Sequence, residues 1–211
     1  MSYFKQDDVI LFQGDSVTDC GRTASPSPAE SLGNGYPLLL AGALLAQYPE
    51  KNLTFINRGV SGNRVVDLEA RWQADTIDIK PTVLSILIGI NDCWRRYDRN
   101  DETPVEAFAA GYRRILERAG QAFPALRLIL LEPFVLPVPE DRKLWRVDLD
   151  PKIDAVRTLA REFGAAYVPL DGLFAAAGTK VPPSYWAADG VHPTTAGAGL
   201  IASAWLRAIG E

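Results

Sequence analysis

A serine near the amino terminus and a histidine near the carboxyl terminus are the two residues whose types and positions suggest chemistry. Ser16 follows the apolar run 9–12 and the turn residues Gly14 and Asp15, so it is predicted just past the carboxyl end of a buried strand. His192 is the only histidine in the chain. A hydroxyl is a weak nucleophile until a base takes its proton, and imidazole commonly does so. The pair therefore predicts nucleophilic acyl transfer.

Asp189 lies three residues before His192, a spacing that places two side chains on the same side of a tight turn or a single helical turn. A carboxylate there can orient the imidazole through its second ring nitrogen. Each residue alone also has a structural interpretation, because Gly-Asp-Ser is an ordinary turn sequence and a lone histidine in a Gly/Pro turn fits a protein surface. Together, however, they favour a Ser-His-Asp triad.

Two more polar turns follow predicted strands. Gly62 lies in the glycine-rich segment 58–63, and Asn91 follows the apolar run 82–88. Because ligands bind at the carboxyl ends of parallel strands, these loops are expected to converge with the serine turn. The backbone N–H groups of Ser16 and Gly62 and the Asn91 amide are then predicted to form an oxyanion hole. Taken singly, Gly62 also fits a left-handed turn, and Asn91 a loop cap.

Strands and helices alternate along the chain. Strands are predicted at 9–12, 53–57, 82–88, 126–131 and 166–169, and helices at 36–47, 65–74, 150–163 and 194–209. One more helix is predicted to start in a capping box of Thr103 and Glu106, with Pro104 at its first position, and to bury residues as far as Ala119. Segment 21–35 and the residues after Asn91 are predicted as loops. The pattern predicts an α/β protein, a three-layer α/β/α sandwich with a five-stranded parallel sheet in a single domain, residues 1–211.

Composition narrows the function classes. The 22 basic and 26 acidic residues give a net charge of -4, so the composition shows no excess of basic residues that would indicate nucleic-acid binding. Cys20 and Cys93 are too few for a disulfide framework and lack metal-ligand spacing, so reduced thiols and no metal are expected. No apolar run is long enough to span a membrane, and residues 1–8 do not have the features of a signal peptide. A cytoplasmic protein is therefore expected.

Four motifs together resemble those of the SGNH (GDSL) hydrolase family. They are Gly14-Asp15-Ser16, Ser61-Gly62-Asn63, Gly89-Ile90-Asn91-Asp92 and Asp189-Gly190-Val191-His192-Pro193. The resemblance spans residues 9–193 and implies a flavodoxin-like fold, with Ser16 as nucleophile, His192 as base and Asp189 as its orienting acid. It also implies an oxyanion hole of Ser16, Gly62 and Asn91, and no cofactor. Two departures are Gln13, where a hydrophobic residue is usual, and the small Asp-Gly pair before Val191-His192.

Within that family the segments 15–22, 57–63 and 89–98 look like those of the intracellular acetylxylan esterases. This resemblance implies a serine esterase that removes acetyl groups from a small-molecule or oligosaccharide ester, and it suggests a homo-oligomer, for which the sequence offers only apolar residues such as Trp205. Aromatic rings with polar rims suit pyranose binding. The predicted substrate-binding residues are Asp15, Trp94, Arg95, Tyr97 and Trp186.

Three alternatives stay open. Trp94 and Trp186 can simply be packed in the protein. The enzyme can act on lipid or thioester substrates, as other GDSL esterases do. Finally, the chain can be a non-catalytic carbohydrate-binding protein, because a fold does not determine a function.

Overall fold

The computed structural model describes residues 2–25 and 27–211 of the chain. Within them, one parallel sheet has the strand order β2-β1-β3-β4-β5. The strands are β1 (Val9–Gly14), β2 (Thr54–Asn57), β3 (Val83–Leu87), β4 (Arg127–Leu131) and β5 (Ala166–Val168). This is the flavodoxin-like order, in which ligands bind between β1 and β3, where the strand order reverses.

Helices cover both faces of this sheet, which confirms the three-layer prediction. In chain order they are α1 (Ser16–Asp19), α2 (Pro28–Ser31), α3 (Tyr36–Gln47), α4 (Val65–Ala70), α5 (Ile90–Arg99), α6 (Val105–Ala122), α7 (Arg146–Glu162), α8 (Leu170–Ala177) and α9 (Thr195–Ala208). Helices α3 and α9 pack together on one face, and α4, α6 and α7 pack on the other. The side chains of β1 alternate between the two cores, with Ile10 and Phe12 on the α3/α9 face and Leu11 on the α4/α6 face.

Trp205 of α9 belongs to the first of these cores. Its ring is fully buried, and its Nε1 donates a hydrogen bond to Ser85 Oγ of β3 at 3.0 Å. Burial of this large ring against the central strand leaves it no role in a surface contact. The sequence feature offered for self-association is therefore part of the core.

Two helix starts differ from the sequence predictions. The prediction of a capping box is wrong, because α6 begins at Val105 and its N-cap is Pro104, which makes no side-chain hydrogen bond. Helix α7 begins at Arg146 instead of residue 150, and it continues through Pro151. Proline removes one backbone hydrogen bond there. The buried ion pair from Lys152 to Asp148, at 2.7 Å, crosses this point and holds the first turn.

Several segments predicted as loops or as longer helices have other structures. Residues after Asn91 form helix α5, and α8 follows directly after β5, where no helix was predicted. The predicted helix 65–74 ends at Ala70 and is followed by a wider helical turn, Gln73–Ile77. Along the described residues, no helix combines the length and apolar character needed to cross a bilayer. Both cysteines are free thiols.

Candidate active site

The turn from β1 into α1 positions Ser16. The strand ends at Gly14, Asp15 is the N-cap of α1, and its Oδ1 accepts a hydrogen bond from Val17 N at 3.0 Å. Ser16 is therefore the first residue of a short helix at the point where the strand order of the sheet reverses. Its Oγ lies 2.9 Å from Nε2 of His192, which comes from the loop before α9.

Asp189 holds the histidine in the orientation that this contact requires. Its Oδ2 lies 2.6 Å from His192 Nδ1, and its Oδ1 accepts from the backbone N–H groups of Val191 and His192 at 3.0 and 2.8 Å. Partial burial acts to raise the pKa of Asp189, but these hydrogen bonds outweigh it and the pKa is lowered. Because an ionised carboxylate only accepts, Nδ1 carries the ring proton and Nε2 is free to accept from Ser16.

The loop that carries Asp189 and His192 is fixed by its backbone. Ala187 and Pro193 form an antiparallel bridge across its base. Gly190 has a φ of 82°, and a Cβ there would lie 2.5 Å from Leu136 O and 2.3 Å from Val138 O. Only glycine fits both this conformation and this contact. The small Asp-Gly pair noted in the sequence therefore seats the loop on the chain after β4.

The loop that contains Gly62 is attached on both sides. Asp19 Oδ2, at the end of α1, accepts from Ser61 N at 3.0 Å and from Ser61 Oγ at 2.6 Å. On the other side Asn91 Nδ2 donates to Asn63 O at 3.1 Å. Gly62 has a φ of 85°, and a Cβ there would meet no atom within 4 Å, so its conformation, not crowding, favours glycine. The structure thus places the Gly62 loop between the serine helix and Asn91.

Asn91 lies in the first turn of α5 rather than in a loop. It is buried, and one of its two Nδ2 hydrogens is donated to the Gly62 loop. Arg95 Nη2 lies 3.5 Å from its Oδ1. These two contacts distinguish the oxygen from the nitrogen of the amide. The second N–H of Asn91 then remains a candidate donor to substrate.

Two carboxyl groups beside the site are buried. Asp15 is 1% exposed and Asp92 is fully buried, where its carboxylate accepts from Val65 N at 3.1 Å. Burial raises the pKa of each to about 7, because few donors compensate for lost water. The structure does not support the prediction that Asp15 contacts substrate, since its side chain caps α1 inside the protein.

An aromatic cluster flanks the histidine. The Trp94 ring centroid lies 6.0 Å from that of His192 and 5.3 Å from that of Trp145, while Tyr97 stacks on Trp145 at 5.4 Å. The Arg142 guanidinium lies 4.0 Å from the Trp145 ring centroid. Sequence analysis missed Trp145 and Arg142, since both lie in the segment after β4, which has no periodic pattern.

The other predicted substrate-binding residues have mainly internal contacts. Arg95 pairs with Asp98 at 2.9 Å, and Tyr97 Oη donates to Leu144 O at 2.8 Å. Trp186 is half-buried against the α3/α9 core and meets Tyr185 edge-on at 5.1 Å. The packed alternative therefore describes Trp186, whereas Trp94 lies directly against the candidate base.

A pocket of about 260 Å³ opens beside Ser16 and His192. Its wall is mainly apolar and comes from α1, the start of α3 and the first half of α9. The other lining residues are Val17, Cys20, Gly21, Gly35, Tyr36, Ser61, Pro193, Ala198 and Ile201. This volume is below the range of about 300 to 1,000 Å³ of pockets for drug-sized ligands. The pocket is therefore of a size that suits a short acyl group.

Comparisons with known proteins agree with this architecture. Residues 12–200 match the GDSL-like lipase/acylhydrolase family. The chain is 36% identical over 208 residues to the acetylxylan esterase of Geobacillus stearothermophilus, covering 95% of this chain and 93% of that one. A crystal structure of an acetylxylan esterase from the same organism, at 35% identity, covers 98% of this chain and 96% of its own with a TM-score of 0.89. A GDSL-like lipase structure from Parabacteroides merdae, at 40% identity, covers 98% and 97% with a TM-score of 0.93.

These similarities identify both the fold class and the family of the chain. The fold is that of the SGNH hydrolases, a parallel five-stranded sheet with helices on both faces. The chain belongs to the GDSL-like lipase/acylhydrolase family, and it is a carboxylic ester hydrolase.

Proposed function

We propose that this enzyme removes acetyl groups from sugars or short xylo-oligosaccharides through an acyl-enzyme formed on Ser16. The observation that carries the proposal is the continuous hydrogen-bonded series from Ser16 Oγ through the His192 ring to Asp189. His192 Nε2 takes the hydroxyl proton while Oγ attacks the ester carbonyl, and it then gives that proton to the leaving sugar alcohol. Water activated by the same nitrogen releases acetate and restores Ser16.

The negative charge of each tetrahedral intermediate needs fixed donors. We assign this role to the backbone N–H groups of Ser16 and Gly62 and to the free N–H of Asn91. Support comes from the attachment of the Gly62 loop to Asp19 and to Asn91, which holds these donors beside the nucleophile. Two solved structures of the Geobacillus stearothermophilus esterase are catalytic mutants, one with a serine and one with a histidine changed to alanine. This agrees with the same pair of functional groups here.

The sugar preference has three supports. The Geobacillus stearothermophilus relative is an acetylxylan esterase, named also as an acetyl-xylooligosaccharide esterase. The 260 Å³ pocket beside Ser16 is small for a long acyl chain. The Trp94 ring lies beside His192, and the Arg142 guanidinium lies 5.1 Å from the Trp94 ring centroid, which adds a cation to this aromatic side of the site. A polar leaving group fits this surface better than a lipid does.

The mechanism is tested with Ser16→Ala and His192→Ala on 4-nitrophenyl acetate. Each variant is expected to lose nearly all activity while its circular dichroism spectrum stays unchanged, because members of a triad act as one unit. Ser203→Ala, an exposed serine on α9, is the matched control and is expected to keep full activity. A fully active Ser16→Ala enzyme would exclude this site.

The substrate is tested with 4-nitrophenyl esters of two to twelve carbons and with peracetylated xylose. The rate is expected to fall with acyl length, and acetate is expected to be released from the sugar. A rate that rises toward long chains, with no acetate from the sugar, would favour the lipid or thioester alternative. No hydrolysis of any ester, with binding of xylo-oligosaccharide, would favour a non-catalytic carbohydrate-binding protein.

A further inference from the structure

Arg71, just after α4, directs its guanidinium toward the loops of the candidate site. Its Nε donates to Asn63 Oδ1 at 2.7 Å, in the Gly62 loop. Its Nη1 donates to Arg58 O at 2.8 Å, after the end of β2, and its Nη2 donates to Gly14 O at 3.2 Å, at the end of β1. The side chain is 17% exposed. One planar cation therefore joins the ends of two strands, β1 and β2, to the Gly62 loop.

Gln13, the departure noted in the sequence, is the second part of this arrangement. It is fully buried on β1, and its Oε1 accepts from Arg71 Nη1 at 2.9 Å. Its Nε2 donates to Asp75 O at 2.6 Å and to Thr76 Oγ1 at 2.9 Å. A buried amide is stable only when its donors and acceptor are paired, as they are here. The polar side chain at this position therefore serves to hold Arg71.

The residues that Arg71 contacts are next to the proposed reacting groups. Gly14 is two residues before Ser16, and Asn63 directly follows Gly62. The Asn63 carbonyl also accepts the Asn91 amide. Displacement of any of these segments would change the distance between the nucleophile and the oxyanion donors. A partly buried hydrogen-bonded network resists such displacement, because its bonds are strong where water is excluded.

We propose that Arg71, held by Gln13, is a positioning residue for ester hydrolysis that keeps the Ser16 turn and the Gly62 loop in register. The inference rests on the proposed roles of Ser16 and Gly62. Arg71 acts through these two segments and does not touch the reacting atoms. A lysine at this position would keep the charge, but its ammonium cannot reproduce the planar fork of the guanidinium.

The test is Arg71→Lys, measured by steady-state hydrolysis of 4-nitrophenyl acetate. We expect kcat to fall about 10- to 100-fold, the scale of a small misplacement of reacting groups, and KM to change less than about twofold. A boronic acid that forms a tetrahedral adduct on the serine is the second readout. Its dissociation constant is expected to rise by the same factor as kcat/KM falls, because the adduct needs the same alignment.

Leu68→Val is the matched control. Leu68 lies on α4, which ends just before Arg71, is fully buried in the core on the α4/α6 face, and donates or accepts no side-chain hydrogen bond. It is expected to lower the thermal unfolding midpoint while kcat and boronic acid affinity stay unchanged. If Leu68→Val reduces kcat as much as Arg71→Lys at a similar loss of stability, Arg71 has only a structural role and the proposal is wrong.

Asn63→Ala provides an independent variant that removes only the loop end of the link. It is expected to lower kcat by a smaller factor, and the double variant with Arg71→Lys should be no worse than Arg71→Lys alone, because both remove one connection. Wild-type kcat in Arg71→Lys, or in Asn63→Ala if Arg71→Lys does not fold, overturns the proposal. These outcomes are separate from failure of the proposed function, which would appear as activity in Ser16→Ala.

Discussion

The carboxylates at this edge of the sheet lie in two contrasting environments. Asp189 is 42% exposed and accepts three hydrogen bonds, and its pKa is lowered. Asp15 and Asp92 are buried, each accepts from one backbone N–H outside its own residue, and burial raises the pKa of each to about 7. The number of donors, set against the loss of water, determines which group stays charged. The partly exposed Asp189 is therefore the charged partner of the histidine.

Among these three carboxylates, Asp189 is expected to show the largest effect on catalysis when it is replaced, as Asp189→Asn. The asparagine amide can present a donor to His192 Nδ1, which would favour the tautomer that cannot accept from Ser16. A loss of kcat of up to about 10⁴-fold is expected, as for the equivalent change in a serine protease triad. Asp154→Asn, an exposed carboxylate on α7, is the control. A loss of less than tenfold would show that the contrast between exposed and buried carboxylates has no catalytic meaning.

Asn91→Ala tests the residue next to buried Asp92. If Asn91 donates to the oxyanion, transition-state stabilisation should fall by about 2.7 to 4 kcal/mol, seen as a loss in kcat. The measurement is kcat and KM on 4-nitrophenyl acetate, with Arg99→Ala, an exposed residue at the end of the same helix, as control. A change confined to KM would instead assign Asn91 to ground-state binding.

Asp15→Asn tests the buried side of the comparison through stability. Between about pH 4 and pH 7 the folded protein keeps a proton on Asp15 that the unfolded chain has lost, so the free energy of unfolding falls as pH rises through that window. Asparagine has no proton to lose. The free energy of unfolding of Asp15→Asn, relative to that of the wild type, should therefore be larger at pH 8 than at pH 4. The difference is at most about 4 kcal/mol, from about 1.4 kcal/mol per pKa unit.

Urea unfolding at both pH values measures this difference, and Asp189→Asn provides the opposite case. The pKa of Asp189 is lowered, so its carboxylate stabilises the fold above its ordinary pKa and loses that contribution as pH falls below it. Asp189→Asn should therefore be less stable than the wild type at pH 8. The same sign for both variants would contradict the interpretation.

The smallest expected effect is that of Trp94→Ala, which removes a ring beside the exposed base. KM for an acetylated xylo-oligosaccharide should rise several-fold, a scale of about 1 kcal/mol for one aromatic contact, while 4-nitrophenyl acetate should be affected less. Trp186→Ala is the matched comparison, because that ring packs against the core. Equal changes in KM for both substrates would indicate a packing role for Trp94.

The strands and the candidate triad could be predicted from sequence because each has a local signal. Four-residue apolar runs mark buried strands, and an Asp three residues before His fixes their proximity within one turn. Helix α5 had no such signal. Its sequence after Asn91 is mostly polar and charged, and its burial depends on Cys93 and Ile90 meeting Trp145, which lies some fifty residues away along the chain.

The direction in which a side chain points could also not be predicted from the sequence. Asp15 and Ser16 are neighbours in one turn, yet Asp15 points inward as a helix cap while Ser16 faces His192. Likewise Gln13 looked like a deviation in an apolar strand, because its partner Arg71 is on a distant segment. Such choices depend on tertiary contacts that no local pattern records.

The bridge between Ala187 and Pro193 has a consequence for motion. Asp189 and His192 lie within this one closed loop, whose Gly190 is seated against the carbonyls of residues 136 and 138. Acid and base are therefore held by the same closed backbone loop, so any displacement of that loop moves both. The triad distance that spans two segments is the one from His192 Nε2 to Ser16 Oγ, at the amino end of α1, which is 2.9 Å in the structure.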